Sequence, residues 1–196
     1  MEQEQELTSQ ESLELITRMI NKAKKDYLDT GVSALLWGSV ITFCSLMTFW
    51  NFYLKWAWLD YIWFLTFAAV IPQVVISIRE SRQRKHKAYE DDLMGGIWIS
   101  FGITMFMLSW YSTAYHVPQE GSLFLIVYGI PTFATGYARR FRPMILGGLA
   151  CWAFAVLSTF SPFPYTMLYT AAAAQLAWFI PGLILRRCYL KAKKHV

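Results

Sequence analysis

The sequence predicts an all-α polytopic membrane protein: six transmembrane helices in three hairpins, preceded by a cytoplasmic amphipathic helix. Three observations carry this. Of the 196 residues, 56% are hydrophobic and 17% aromatic, high for a soluble domain and ordinary for a chain that lives in lipid. From Pro143 to Leu185 there are 43 consecutive positions without a charge, enough for two helical crossings of about 20 residues each. And 17 of the 18 Lys and Arg residues fall in segments that a six-span chain places on one side of the membrane, which is the pattern of positively charged cytoplasmic loops.

Taken in order, residues 1–31 form the first unit. They lack a basic start and an early apolar core, so no cleavable signal peptide is expected. Thr8-Ser9-Gln10-Glu11 fits a capping box, in which the hydroxyl and the carboxylate serve the free amides at a helix start. Leu13, Ile16, Ile20, Ala23 and Tyr27 then recur at alternating steps of 3 and 4, giving one apolar stripe on an amphipathic helix. Such a stripe has to cover something. Residues 9–28 are therefore an expected interaction element, for a second copy or for a protein partner.

Residues 32–187 form the membrane domain, with spans expected at 32–50, 58–78, 93–112, 122–138, 143–160 and 165–185. Residues 51–56 make a tight outer turn, 79–92 the longest polar loop, and His116 to Glu120 a second outer turn. Ser161-Pro162-Phe163-Pro164 divides the uncharged run, since paired prolines favour a turn. Residues 188–196 are a basic tail. Segments 1–31, 79–92, 139–142 and 186–196 carry 4, 5, 3 and 5 Lys/Arg, leaving Lys55 alone on the opposite side. Both termini are thus expected in the cytoplasm. The net charge of +5 is a topology and headgroup-contact mark, and no direct nucleic-acid binding is expected. The lipid bilayer is the first partner.

A unit recurs in the spans. Gly38 is followed by Ile71-Pro72, Gly95 and Gly96 by Ile130-Pro131, and Gly147 and Gly148 by Ile180-Pro181, with Gly-to-Pro separations of 34, 36 and 34 positions. Matched spacing predicts a threefold hairpin repeat. The glycines read as packing surface between helices, and Pro72, Pro131 and Pro181 as helix breaks. Trp50, Trp56, Trp58, Trp63 and Trp110, with neighbouring tyrosines, gather near the outer turns as a headgroup belt.

Little in the sequence carries chemistry. Cys44, Cys151 and Cys188 have no zinc or disulfide spacing, and the first two read as small packing residues. No expected span contains a histidine or a central charge, so no metal, cofactor or catalytic residue is expected, and the chain reads as no enzyme. The deep polar residues are Gln73, beside Pro72, and Gln175, after Ala171 to Ala174. Both suit interhelical hydrogen bonds; they would alternatively line a cavity.

Glu11-Ser-Leu-Glu-Leu-Ile-Thr-Arg-Met-Ile20, Gly31-Val-Ser-Ala-Leu-Leu-Trp-Gly38 and Ile180-Pro181-Gly182 together resemble a group of uncharacterised small bacterial inner-membrane proteins with this helix followed by six spans. The layout is also similar to the HdeD-type three-hairpin membrane proteins. The first resemblance implies the bacterial inner membrane and, as a partner, a winged-helix regulator; it transfers no catalytic residue. The expected function is a non-enzymatic accessory or regulatory role, with residues 9–28 making the contact. The alternative is a small transporter or channel, since transporters also use repeats and interrupted helices.

Overall fold

The computed structural model describes residues 30–83, 89–117 and 120–194. The expected N-terminal helix, with its stripe of Leu13, Ile16, Ile20, Ala23 and Tyr27, lies outside the described residues. Described are α1 (Val32–Leu54), a 3-10 turn (Ala57–Tyr61), α2 (Phe64–Gln83), α3 (Tyr89–Tyr115), α4 (Glu120–Ala138), α5 (Arg142–Thr159), α6 (Tyr165–Ala174), a π-helical turn (Gln175–Phe179) and α7 (Ile180–Lys194). No strand occurs among the described residues. Six helices are long and apolar enough to cross a membrane, the sixth being the continuous run Tyr165–Ala192 through α6, the π turn and α7. Among the described residues the chain is an all-helical membrane protein with six spans.

The helices overrun several of the expected ends. α1 continues past Trp50 to Leu54, where Lys55 adopts the left-handed conformation and donates its N–H to Asn51 O at 2.8 Å. Asn51 also organises the turn that follows. Its Oδ1 accepts from Trp56 N at 2.8 Å and its Nδ2 donates to Asp60 Oδ1 at 2.6 Å. α2 runs on to Gln83 and α3 begins at Tyr89, so much of the polar stretch expected as loop at 79–92 is helix.

The six spans are not equivalent. α1, α4 and α5 each pack on the last span and α4 packs on α5, whereas α2 leans on α1 and α3 on α4. Half of the apolar window of α4 is buried and none of that of α3. The core sits between the inner four, around Ile41, Leu125, Tyr128, Cys151, Ala173, Ala177 and Trp178. Large side chains on the outside, such as Ile71 and Phe67 on α2 and Ile99 and Phe106 on α3, are exposed. That surface would be untenable in water and is normal against lipid. Trp50, Trp56, Trp58, Trp110, Tyr61 and Tyr115, near the C-terminal ends of α1 and α3 and in the 3-10 turn, are also exposed, as a headgroup belt requires.

Glycine decides which helices come close. A Cβ added at Gly38 would stand 2.7 Å from Phe179 N; one at Gly147 would stand 2.5 Å from Ala177 Cα and 2.7 Å from Leu176 O. At Gly148 it would meet Phe133 Cβ at 2.7 Å. These helices touch backbone to backbone, which a side chain forbids. Gly31, at φ +71, turns the chain into α1 in a conformation L side chains rarely adopt. Gly95 and Gly96 correct the expectation: an added Cβ would find nothing within 4 Å, because α3 stands at the edge. The three units thus have different surroundings. Gly38 and Gly147 both face the last span, and Gly95 faces outward.

The prolines correct another expectation. Pro72 lies inside α2 and Pro131 inside α4, so neither breaks its helix. A membrane span holds its remaining backbone bonds where no water competes for them. Pro181 is the second residue of α7, separated from the π turn by Ile180 alone.

Gly147→Ala is expected to lower the stability of the detergent-solubilised protein by about 1–3 kcal/mol, as overpacking does. Gly95→Ala is expected to be neutral or to stabilise by up to about 1 kcal/mol, the helix-propensity gain. Unfolding midpoints of the two variants beside the parent protein check the contrast.

Candidate functional site

Within a bilayer an indole N–H, an amide or a hydroxyl finds partners in the protein or goes without. Five tryptophans inside the bundle each reach a neighbouring helix. Trp37 Nε1 donates to Gln73 Oε1 at 3.1 Å, Trp63 to Thr48 Oγ1 at 3.0 Å, Trp98 to Thr135 Oγ1 at 3.1 Å, Trp152 to Ile126 O at 3.1 Å and Trp178 to Thr132 Oγ1 at 2.9 Å. The first two tie α1 to α2 and its approach, the third ties α3 to α4, and the fourth ties α5 to α4. The fifth ties the π turn to α4. Trp63, expected in the outer belt, is a helix tie instead.

The two deep glutamines join the same scheme. Gln73 Nε2 donates to Ser33 Oγ at 3.1 Å and Ser77 Oγ at 3.0 Å, while its Oε1 accepts from Trp37. Gln175 Nε2 donates to Thr42 Oγ1 at 2.8 Å. Each amide therefore bonds to α1, one from α2 and one from the π turn. Thr30 Oγ1 adds a bond from the start of α1 to Glu80 Oε1 on α2.

The π turn is the centre of the site. Ile180 N donates to Gln175 O, a five-residue closure that widens the helix just before Pro181. In a regular helix the Pro181 ring would press on the carbonyl four residues back; the wider turn relieves that contact. Gly38 and Gly147 let α1 and α5 touch this turn from two sides. From α4, Thr132, fully buried, accepts the Trp178 N–H and donates to Tyr128 O at 2.8 Å. The Trp178 ring meets Tyr128 edge-on at 5.1 Å between centroids and Phe101 at 6.3 Å. Trp98, Phe101 and Met105 are the residues by which α3 reaches the core.

This centre is closed. The void bounded by Tyr128, Cys151, Ala173, Ala174, Ala177 and Trp178 leaves no room for a water molecule. Cys44 and Cys151 are buried, and the Cys44 thiol donates weakly to Ile62 O at 3.6 Å. Among the described residues no three His, Cys, Asp or Glu side chains stand together as a metal site would need. The hydroxyls of Ser45, Ser122 and Ser158 are buried without a hydrogen-bond partner.

The sequence singled out Gln73, Gln175, Gly38 and Gly147; the two amides both bond to α1, and the two glycines both meet the π turn. Gly95 and Gly96 stand apart on α3. Missed were Trp178, Thr132, Trp98 and Trp152. Their signal was available: a tryptophan near mid-span is too deep for the headgroup belt and has to place its N–H on a neighbour. Comparison with protein-family models, curated proteins and solved structures finds no match.

Thr132→Val keeps the volume and removes both bonds of the hydroxyl, so a loss of about 1–2 kcal/mol is expected. Ser158→Ala removes a hydroxyl that has no partner, and is expected to leave stability unchanged or raise it by up to about 1 kcal/mol. Denaturant titrations in mixed micelles measure both.

Proposed function

We propose that this protein is a non-enzymatic accessory or regulatory component of the bacterial inner membrane, with both termini in the cytoplasm and residues 9–28 as its interaction element. The observation that carries this is the use made of the deep polar side chains. Transport requires a polar passage, and Gln73 and Gln175 are the residues best placed to line one. Both amides are instead occupied in bonds from α2 and the π turn to α1. The void at the π turn, bounded by Tyr128, Cys151, Ala173, Ala174, Ala177 and Trp178, has no space for water. Such a bundle serves as a membrane platform, and its action lies in what it holds at the surface.

The apolar stripe of Leu13, Ile16, Ile20, Ala23 and Tyr27 is the feature best suited to that contact. Its partner would be a second copy or a regulatory protein, a winged-helix regulator being the one the resemblance suggests. The matched Gly-to-Pro spacings support a hairpin unit used three times, its middle copy turned so that the glycines face outward.

Leu13→Asp combined with Ile20→Asp is expected to leave membrane insertion intact and to abolish crosslinks formed from a photoreactive residue at Ala23. Retention of every crosslinked species would remove the interaction role. Orientation has a built-in reporter, because Cys188 is exposed while Cys44 and Cys151 are buried. An impermeant maleimide is expected to label Cys188 after lysis and to spare it in intact spheroplasts. Trp58→Cys, in the outer turn, is expected to react in both. The opposite pattern would invert the topology.

A further inference from the structure

We propose that a groove on the lipid-facing side of the bundle binds one anionic phospholipid, its acyl chain between α5 and the last span and its headgroup phosphate on Arg142. The groove has a volume of about 300 Å³ and is lined by Arg142, Pro143, Leu146, Gly147, Leu176 and Ile180. Five of these six are apolar or lack a side chain, and the sixth is a cation at the end where the bundle leaves the apolar layer. That is the division of a phospholipid itself, hydrocarbon below and charge above.

The walls follow from the chain. α5 begins at Arg142, and Leu146 lies one turn further on the same face. Gly147 contributes no side chain to fill the gap. Across from it the π turn presents Leu176, and α7 presents Ile180, both partly exposed, with Leu146 exposed at 66%. Two turns beyond Ile180 on its own face stands Arg187, placed to reach the same headgroup. Arginine is the side chain whose planar fork matches a phosphate with paired hydrogen bonds.

Charge complementarity identifies the occupant. From Gly121 to Val196 the chain has eight Lys/Arg and no Asp or Glu. The first turn of α5 likewise has no acidic residue, and its N-cap makes no side-chain bond. The helices that build the groove therefore carry no carboxylate for Arg142, and the positive end of the α5 dipole acts in the same direction. An anion has to come from outside these elements. Basic pockets between spans on the arginine-rich side are suited to anionic headgroups, and the apolar groove below selects an anion that brings an acyl chain.

The test uses the full-length protein in phosphatidylcholine nanodiscs carrying a trace of phosphatidylglycerol with a diazirine on its acyl chain. After photolysis, mass spectrometry maps the adducts. Expected is enrichment on Leu146, Leu176 and Ile180 over the exposed faces of α2 and α3, about fivefold stronger than with a phosphatidylcholine probe, the factor one cation near an anionic headgroup supplies. Arg142→Gln is expected to remove the headgroup preference. Leu146→Trp, at an exposed position where the core is not disturbed, is expected to fill the groove and reduce adducts from both probes. Even labelling across all spans would overturn the proposal. So would equal labelling by the two probes, or a preference that survives Arg142→Gln.

Discussion

Backbone contact on one turn of the last span holds this molecule together. Gly38 brings α1 against Phe179, and Gly147 brings α5 against Ala177 and Leu176. In lipid there is no hydrophobic gain from pressing one apolar helix on another, so association depends on close packing and on polar bonds between helices. The π turn supplies both. Its widened backbone sits where two glycines allow approach, and Gln175 and Trp178 extend from it to Thr42 on α1 and Thr132 on α4. Remove the close approach and the polar ties lose their geometry, since hydrogen bonds weaken steeply with distance and angle.

The outer helices are held differently. α2 and α3 lack glycine contacts to the core, and each is attached by a tryptophan tie, Trp37 to Gln73 for α2 and Trp98 to Thr135 for α3. The bundle therefore has a dense centre and two lightly attached flanks. Local opening free energies follow buried contact, so motion in this protein belongs to α2 and α3 before it reaches the π turn. A platform with a fixed centre is suited to presenting surface segments, which agrees with an accessory role. The unpartnered hydroxyls of Ser45, Ser122 and Ser158 are places where the core gives up polar satisfaction.

Much of this was legible in the residues. Uncharged length and the one-sided distribution of cations point to six spans, because the bilayer imposes its thickness and its charge asymmetry directly on the sequence. The amides of Gln73 and Gln175 stood out because a polar residue in lipid requires a partner. What could not be read was which helices are neighbours. Gly95 and Gly147 occupy the same place in a repeated pattern, yet one faces outward and the other meets a backbone, and local spacing carries no information about that difference. Likewise Pro72, Pro131 and Pro181 look alike in sequence, and the π turn adjoins the last of them alone. Its formation depends on α1 and α5 closing around it, a tertiary condition. The position of Trp63 next to a turn points to the belt, but Thr48 on α1 offers its N–H a partner.

The central claim is that the first and last spans meet face to face in the dense half of the bundle. A Cβ at Gly182 would lie 3.1 Å from Ala34 Cβ, close to the span of about 3.5–4.5 Å that a disulfide bridges. The direct measurement is oxidative crosslinking in native membranes of Ala34→Cys with Gly182→Cys, in a protein whose exposed Cys188 is replaced by serine. The account predicts a rapid intramolecular disulfide for this pair and none for Gly95→Cys with Gly182→Cys. A pair at 34 and 182 that stays reduced, or a bridge formed from position 95, would contradict it.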